Sequence, residues 1–155
     1  MQHKCCFFIG HRDAPKTLLP LIRDAIEEHV VNYHVTEFIV GQYGSFDRMV
    51  AKALLQAKEG HTEIKLTLLL PYYSCTIGSL PDGFDESLFP SAQEHVPKRL
   101  AIVRANQYAV DISDYLIAYA WQPGSNALKL LDYAQRKRNK RPYCTNLYGI
   151  KTPEF

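Results

Sequence analysis

Residues 111–134, DISDYLIAYAWQPGSNALKLLDYA, constrain the fold more than any other stretch of this chain. Tyr115 to Ala120 is apolar almost without interruption, between polar residues at Asp111, Ser113 and Asp114 and a turn at Pro123-Gly124. A half-exposed strand would alternate in polarity. An uninterrupted run predicts a strand covered on both faces, as in a parallel sheet between two layers of helices. After the turn, Ala127, Leu128, Leu130, Leu131 and Ala134 recur at helical spacing, so Ser125 or Asn126 is expected to cap a helix. A parallel strand that runs into a helix N-terminus leaves backbone N–H groups free for an anion, although a plain capped turn has the same sequence.

The rest of the chain repeats this alternation. Cys5 to Ile9 reads as a buried strand ending at Gly10-His11-Arg12-Asp13, and Leu18, Leu21, Ile22, Ala25, Ile26 and Val30 mark a helix with Pro15 or Pro20 in its opening turn. Val35 to Val40 is a second strand, closed by Gly41-Gln42-Tyr43-Gly44-Ser45. The stripe Phe46, Met49, Val50, Ala53, Leu54 and Ala57 follows, stopped by Gly60. Ile64 to Leu70 is a third strand. Tyr72 to Val96 has no clear period and is expected to be a partly structured loop, either a short helix with turns or a lid-like excursion. Pro97 starts a helix to about Tyr108, and Tyr143 to Tyr148 can add a last edge strand.

This pattern predicts a single α/β domain over residues 1–155: a Rossmann-like, doubly wound, mainly parallel sheet of about five strands with helices on both faces. The first strand is expected at the centre, beside the second and the 115–120 strand. Their carboxyl ends would bring Gly10 to Asp13, Gly41 to Asp47 and Trp121 to Asn126 around one crevice.

At 155 residues, 46% hydrophobic and 22% charged, the chain has the composition of a globular protein with a sizeable core. Its formal charge of +2 is too mild to argue for nucleic acid. Arg136, Lys137, Arg138, Lys140 and Arg141 hold most of the excess, where cations favour a helix C-terminus. Cys5, Cys6, Cys75 and Cys144 lack metal spacing and read as reduced thiols, and the histidines form no ligand set, so neither a metal nor a resident cofactor is expected. No apolar run approaches the ~20 residues that span a membrane, and no signal-peptide pattern opens the chain, so no membrane partner and a cytoplasmic location are expected.

Candidate site residues come from the three loops. Gly41, Gly44 and Asp47 keep part of a dinucleotide fingerprint, with glycines for a tight turn and close backbone approach. Ser45 can offer a hydroxyl or cap the next helix, whose first turn holds Phe46 and Asp47. Asp47 suits either the helix N-terminus or a ribose hydroxyl. Gly10, His11 and Arg12 offer an anion anchor in Arg12, a buttress for Asp47, and a donor or acid/base group in His11. Trp121 suits base stacking or closure of the core end. Arg104 and Asn106 leave the helix that feeds the crevice. Asp111 and Asp114 fall before the strand, some 20 Å from its far end for six residues at about 3.3 Å each. That distance makes them structural support, with an Arg104–Asp111 ion pair or a helix-loop cap as the expected use.

FFIGHRDAP, FIVGQYGSFDRMVAKAL and RLAIVRANQYAVDISDYLIAYAWQPGSNALKLLDYAQ together resemble the small bacterial proteins of the SLOG superfamily, in a branch described only as a domain of unknown function. Their distant relatives include DNA-processing protein A, the LOG nucleoside-monophosphate phosphoribohydrolases and the nucleoside 2-deoxyribosyltransferases. The resemblance implies a Rossmann-like domain for a nucleotide or nucleotide sugar, such as an ADP-ribose-like ligand. It places Gly10, His11 and Arg12 in the first-loop motif and Gly41, Gly44 and Asp47 in the second. Arg104, Asn106 and Asp111 match the run ahead of the next strand, and Gly124, Ser125 and Asn126 the phosphate turn. The LOG enzymes carry PGGxGTxxE at that turn, and PGSNALKLL lacks its glutamate. Binding is therefore expected ahead of catalysis, with N-glycoside hydrolysis or transfer by Asp47, helped by His11, as the alternative. A nucleic-acid-handling role is the third option. Tyr72, Tyr73, Phe84 and Phe89 are expected to be buried in a partner subunit or over the chain's own site, and a homo-oligomer is the favoured expectation.

Overall fold

The computed structural model describes residues 3–71, 80–90, 96–137 and 141–150. Strand β1 (Cys5–Gly10) leads through a 3-10 turn into helix α1 (Leu19–Val31), which carries Pro20 in its opening turn, where a missing N–H costs nothing. Strand β2 (Glu37–Val40), helix α2 (Ser45–Gly60) and strand β3 (Lys65–Leu69) complete the first half. Strand β4 (Glu86–Leu88), helix α3 (Lys98–Ile112), strand β5 (Tyr115–Tyr119), helix α4 (Asn126–Gln135) and strand β6 (Tyr143–Asn146) form the second.

The strands make one sheet in the order β4-β3-β2-β1-β5-β6, and every pairing is parallel. Alternate side chains of β1 enter opposite layers. Cys6 and Phe8 pack with α1 and α2, while Cys5 and Phe7 pack with α3 and α4. Both faces are therefore dry, which is why β1 and β5 show no polar alternation in sequence. Side chains such as Phe8, Phe38, Ile22 and Leu116 are fully buried, each stabilising the fold by roughly 1.5–3 kcal/mol. As expected from the alternation, β1 is central and is flanked by β2 and β5, and the chain reverses its direction of travel across the sheet between those neighbours.

Three features depart from the sequence reading. The irregular segment contributes a sixth strand: β4 pairs with β3 from Thr67–Glu86 to Leu69–Leu88, and Asp85 anchors it by accepting from Leu66 N at 2.8 Å and Lys58 Nζ at 2.6 Å. A three-residue strand with two polar residues has no period to read. Phe84 packs partly against the α1/α2 layer, which removes one reason for expecting a partner there. Tyr72 and Tyr73 lie outside the described residues, as do Arg138 and Lys140 of the basic run. Helix α3 runs to Ile112, not Tyr108, because Ala109 and Val110 continue its buried stripe. Asp111 is thus a helical residue. Among the described residues no helix is long and apolar enough to cross a membrane.

Candidate functional site

Parallel strands all present their carboxyl ends at one edge of the sheet, and the loops after β1, β2 and β5 meet there. The first two loops are locked together. Ser45 N donates to the Arg12 carbonyl at 2.8 Å, and Ser45 Oγ donates to the Ala14 carbonyl at 2.8 Å. Ser45 is therefore a tie between loops, not the cap of α2; Gly44 holds the cap position and provides no side chain. A Cβ on Gly44 would lie 2.6 Å from the Arg12 Cα, so close approach of the two backbones requires glycine here. At Gly10 the obstacle is a ring: a Cβ would fall 2.3 Å from Phe46, which is itself buried in the core beneath the loops.

The third loop is a β-turn, closed by Ser125 N donating to the Gln122 carbonyl at 3.2 Å. Pro123 occupies its second position and Gly124 its third with φ +77°, the left-handed conformation of a type II turn. Ser125 then caps α4, its Oγ accepting from Leu128 N at 3.1 Å. The sequence left Ser125 and Asn126 as alternatives. Ser125 has the extended backbone of a cap, and Asn126 begins the helix.

Together the loops and α3 enclose a cleft of about 720 Å³. Gly10, His11, Arg12 and Asp13 line it from the first loop, Gly41, Tyr43, Gly44 and Asp47 from the second, and Gln122, Ser125, Asn126 and Lys129 from the third and α4. Ile102, Val103, Asn106 and Gln107 form its α3 wall. Of the residues singled out in sequence, Ser45, Phe46, Arg104, Trp121 and Gly124 are not part of this lining. Arg104 is exposed on α3. Trp121 stacks on Tyr148 with centroids 5.8 Å apart, on the β6 side of the loop. Tyr43 and Gln122 lie within the loops expected around the crevice but have no role assigned from sequence, and Ile102, Val103, Gln107 and Lys129 are not singled out there at all. Lys129 had a signal, since it stands three residues after Asn126 and shares its helical face.

Asp47 lies in the first turn of α2, where a helix N-terminus favours a carboxylate. Its Oδ2 accepts from Tyr43 N at 2.9 Å. Burial nevertheless outweighs this bond and pushes its pKa above the ordinary value of 3.8. His11 is also buried. Its Nε2 accepts from Trp121 N at 3.0 Å and from Gln122 N at 3.4 Å, so the ring is neutral with its proton on Nδ1. Burial lowers its pKa below 6.5, against the opposing pull of Asp13. The ring also makes edge contacts with Tyr119 and Trp121. His11 thus ties the end of β1 to the loop after β5, and the lone pair a general base would use is already engaged.

Asp111 and Asp114 sit at the opposite end of the sheet. Asp111 Oδ1 accepts from Tyr133 Oη at 2.8 Å and Lys137 Nζ at 2.6 Å, so its ion pair is with Lys137, not with Arg104 as expected. Asp114 Oδ2 accepts from Cys5 N at 2.9 Å, and its Oδ1 pairs with Arg141. No protein-family model matches this chain, and no curated protein matches it.

Proposed function

We propose that the cleft binds a nucleotide or a nucleotide-derived small molecule, ADP-ribose-like in kind, and that the chain is a cytoplasmic member of the SLOG superfamily. The observation that carries this reading is the cleft's position: an open parallel sheet binds ligands at the carboxyl ends of its strands, where the direction of winding reverses. The volume suits a mononucleotide or a somewhat larger ligand. In this reading the start of α4, with Asn126 and Lys129, faces the phosphate, and Arg12 supplies a second cation from the facing loop. Asp47 takes a ribose hydroxyl, and the apolar side of the α3 wall meets the base. The separation keeps the carboxylate from repelling the phosphate.

A thermal-shift screen of AMP, ADP, ADP-ribose and nicotinamide adenine dinucleotide tests the assignment. A ligand at 100 times its Kd should stabilise the fold by about 2.7 kcal/mol. Asp47→Ala should weaken binding about tenfold, the loss of one well-made hydrogen bond to a charged group. If none of these compounds moves the melting temperature, the reading is wrong.

Turnover of the same ligand is a second reading, favoured by the raised pKa of a buried carboxyl inside the cleft. In that case Asp47 would face the anomeric carbon, and Asp47→Asn would abolish base release while leaving binding in place. His11 takes no proton-transfer role in either reading. A nucleic-acid-handling role is not favoured, because Lys137 and Arg141 are already paired with carboxylates. Its test is salt-sensitive DNA binding.

A further inference from the structure

Helix α3 is apolar on two sides. Ala101, Ala105, Ala109 and Val110 are completely buried on its inner side, yet Leu100, Val103, Tyr108 and Ile112 remain 49%, 36%, 38% and 42% exposed. The exposed apolar residues of α1 and α2, Val31 and Leu55, are single. On α3 they are arranged. Leu100, Arg104, Tyr108 and Ile112 follow one another at every fourth position and so form a single ridge inclined to the helix axis. Solvated helices put mostly charged residues on such a face, and a ridge with three exposed large apolar side chains out of four marks a contact surface.

Two details point to the occupant. Arg104, in the middle of the ridge, has no hydrogen-bond or ion-pair partner among the described residues. Near it, Asp111 receives both of its bonds on Oδ1. Its Oδ2 has no partner among the described residues. The ridge thus carries an exposed cation without a partner among the described residues, and beside it stands a carboxylate that Tyr133 and Lys137 engage through one oxygen.

We infer that α3 is the contact surface for a second copy of this chain, packed ridge into groove about a two-fold axis. Such an axis near position 106 sets Leu100 against Ile112 of the second copy and Arg104 against its Tyr108, whose ring face attracts a guanidinium. Asp111 of the second copy then lies about 4.5 Å further along the helix axis, within reach of Arg104. The same contacts occur twice, as an isologous interface requires. The 15-residue helix is about 22 Å long, so this face buries less than the ~800 Å² per partner of a standard stable interface, and the dimer is concentration-dependent rather than permanent.

Sedimentation velocity of the full chain over a wide concentration range should show a monomer–dimer equilibrium. Leu100→Ser and Arg104→Glu, both at exposed positions, should each raise the dimer Kd at least about tenfold with an unchanged far-ultraviolet circular dichroism spectrum. If either substitution damages the fold, oxidation of the double variant Leu100→Cys/Ile112→Cys decides. It should yield a covalent dimer that neither single variant yields. A wild-type chain that stays monomeric throughout overturns the inference, whether the ridge is bare or covered by another part of the same chain. A dimer that withstands both substitutions and forms no such disulfide overturns it equally.

Discussion

Gly44 has no room for a side chain, and the obstacle is backbone, which cannot swing aside. Gly44→Ala must separate the first two loops by several tenths of an ångström, strain the Ser45 bonds to Arg12 and Ala14, and cost about 1–3 kcal/mol, measured as a lower urea midpoint with unchanged slope. A second residue-scale prediction concerns pH. His29 is completely buried. Its Nδ1 donates to the Ala25 carbonyl at 2.6 Å, and its Nε2 has no partner among the described residues. The rings of Tyr33 and Tyr115 surround it edge-on, and burial lowers its pKa, opposed by the Ala25 carbonyl and Glu28. Both His29 and His11 therefore have folded pKa values below the unfolded value of 6.5. Below 6.5 the unfolded chain binds more protons than the folded one. Their stabilisation is thus present above that pH and lost as pH falls through the folded values. Asp47 runs the other way in a lower window, since its raised pKa makes the native state the better proton binder just above 3.8. Melting temperatures from about pH 8 to pH 5 should fall, and His29→Phe should make the fall shallower.

At the scale of elements, α4 shows how two adjacent residues set one helix start. Gly124 at φ +77° turns the chain and Ser125 Oγ closes the first turn. Gly124→Ala should cost about 1–2 kcal/mol for the left-handed backbone. Ser125→Ala should cost about 1 kcal/mol for the lost cap. Both are read from urea denaturation, and the double variant is not expected to be additive because the two act on one turn. This start was legible in sequence, because Pro-Gly followed by Ser-Asn ahead of a helical stripe is local chemistry. The end of α3 was not. Its last turn holds the polar Asp111 and the apolar Ile112, both exposed, which read as loop until Ala109 and Val110 are seen packed against the sheet. Strand β4 exists because β3 offers it a free edge, which no property of Glu86-Ser87-Leu88 announces.

Across the whole molecule, the two ends of the sheet have separate tasks. At the amino ends Asp114 joins β1, the start of β5 and the segment before β6 by accepting from Cys5 N and pairing with Arg141. The cleft lies at the other end, about 17 Å away for a five-residue strand. Asp114→Ala should therefore lower stability by roughly 1.5–3 kcal/mol, the range for hydrogen bonds to a charged group. It should leave the thermal shift given by the proposed nucleotide ligand unchanged, so the same thermal-shift measurement separates support from site. Equal loss of ligand response and stability would place the two ends in one cooperative unit.

Periodicity and turn residues act within a few positions of the chain, so the parallel, doubly wound architecture and the loops that border the cleft are legible without tertiary contacts. Gly10, His11, Arg12, Gly41, Gly44, Asp47, Asn106, Ser125 and Asn126, all legible as candidates in the sequence, line the cleft. What those residues touch was decided only by tertiary structure. Whether His11 keeps its lone pair depends on amides 110 and 111 positions away, and whether Asp111 meets Arg104 or Lys137 depends on how α3 and α4 pack. Contacts between residues so far apart leave no local pattern, and the burial that shifts Asp47 and His11 belongs to the assembled cleft.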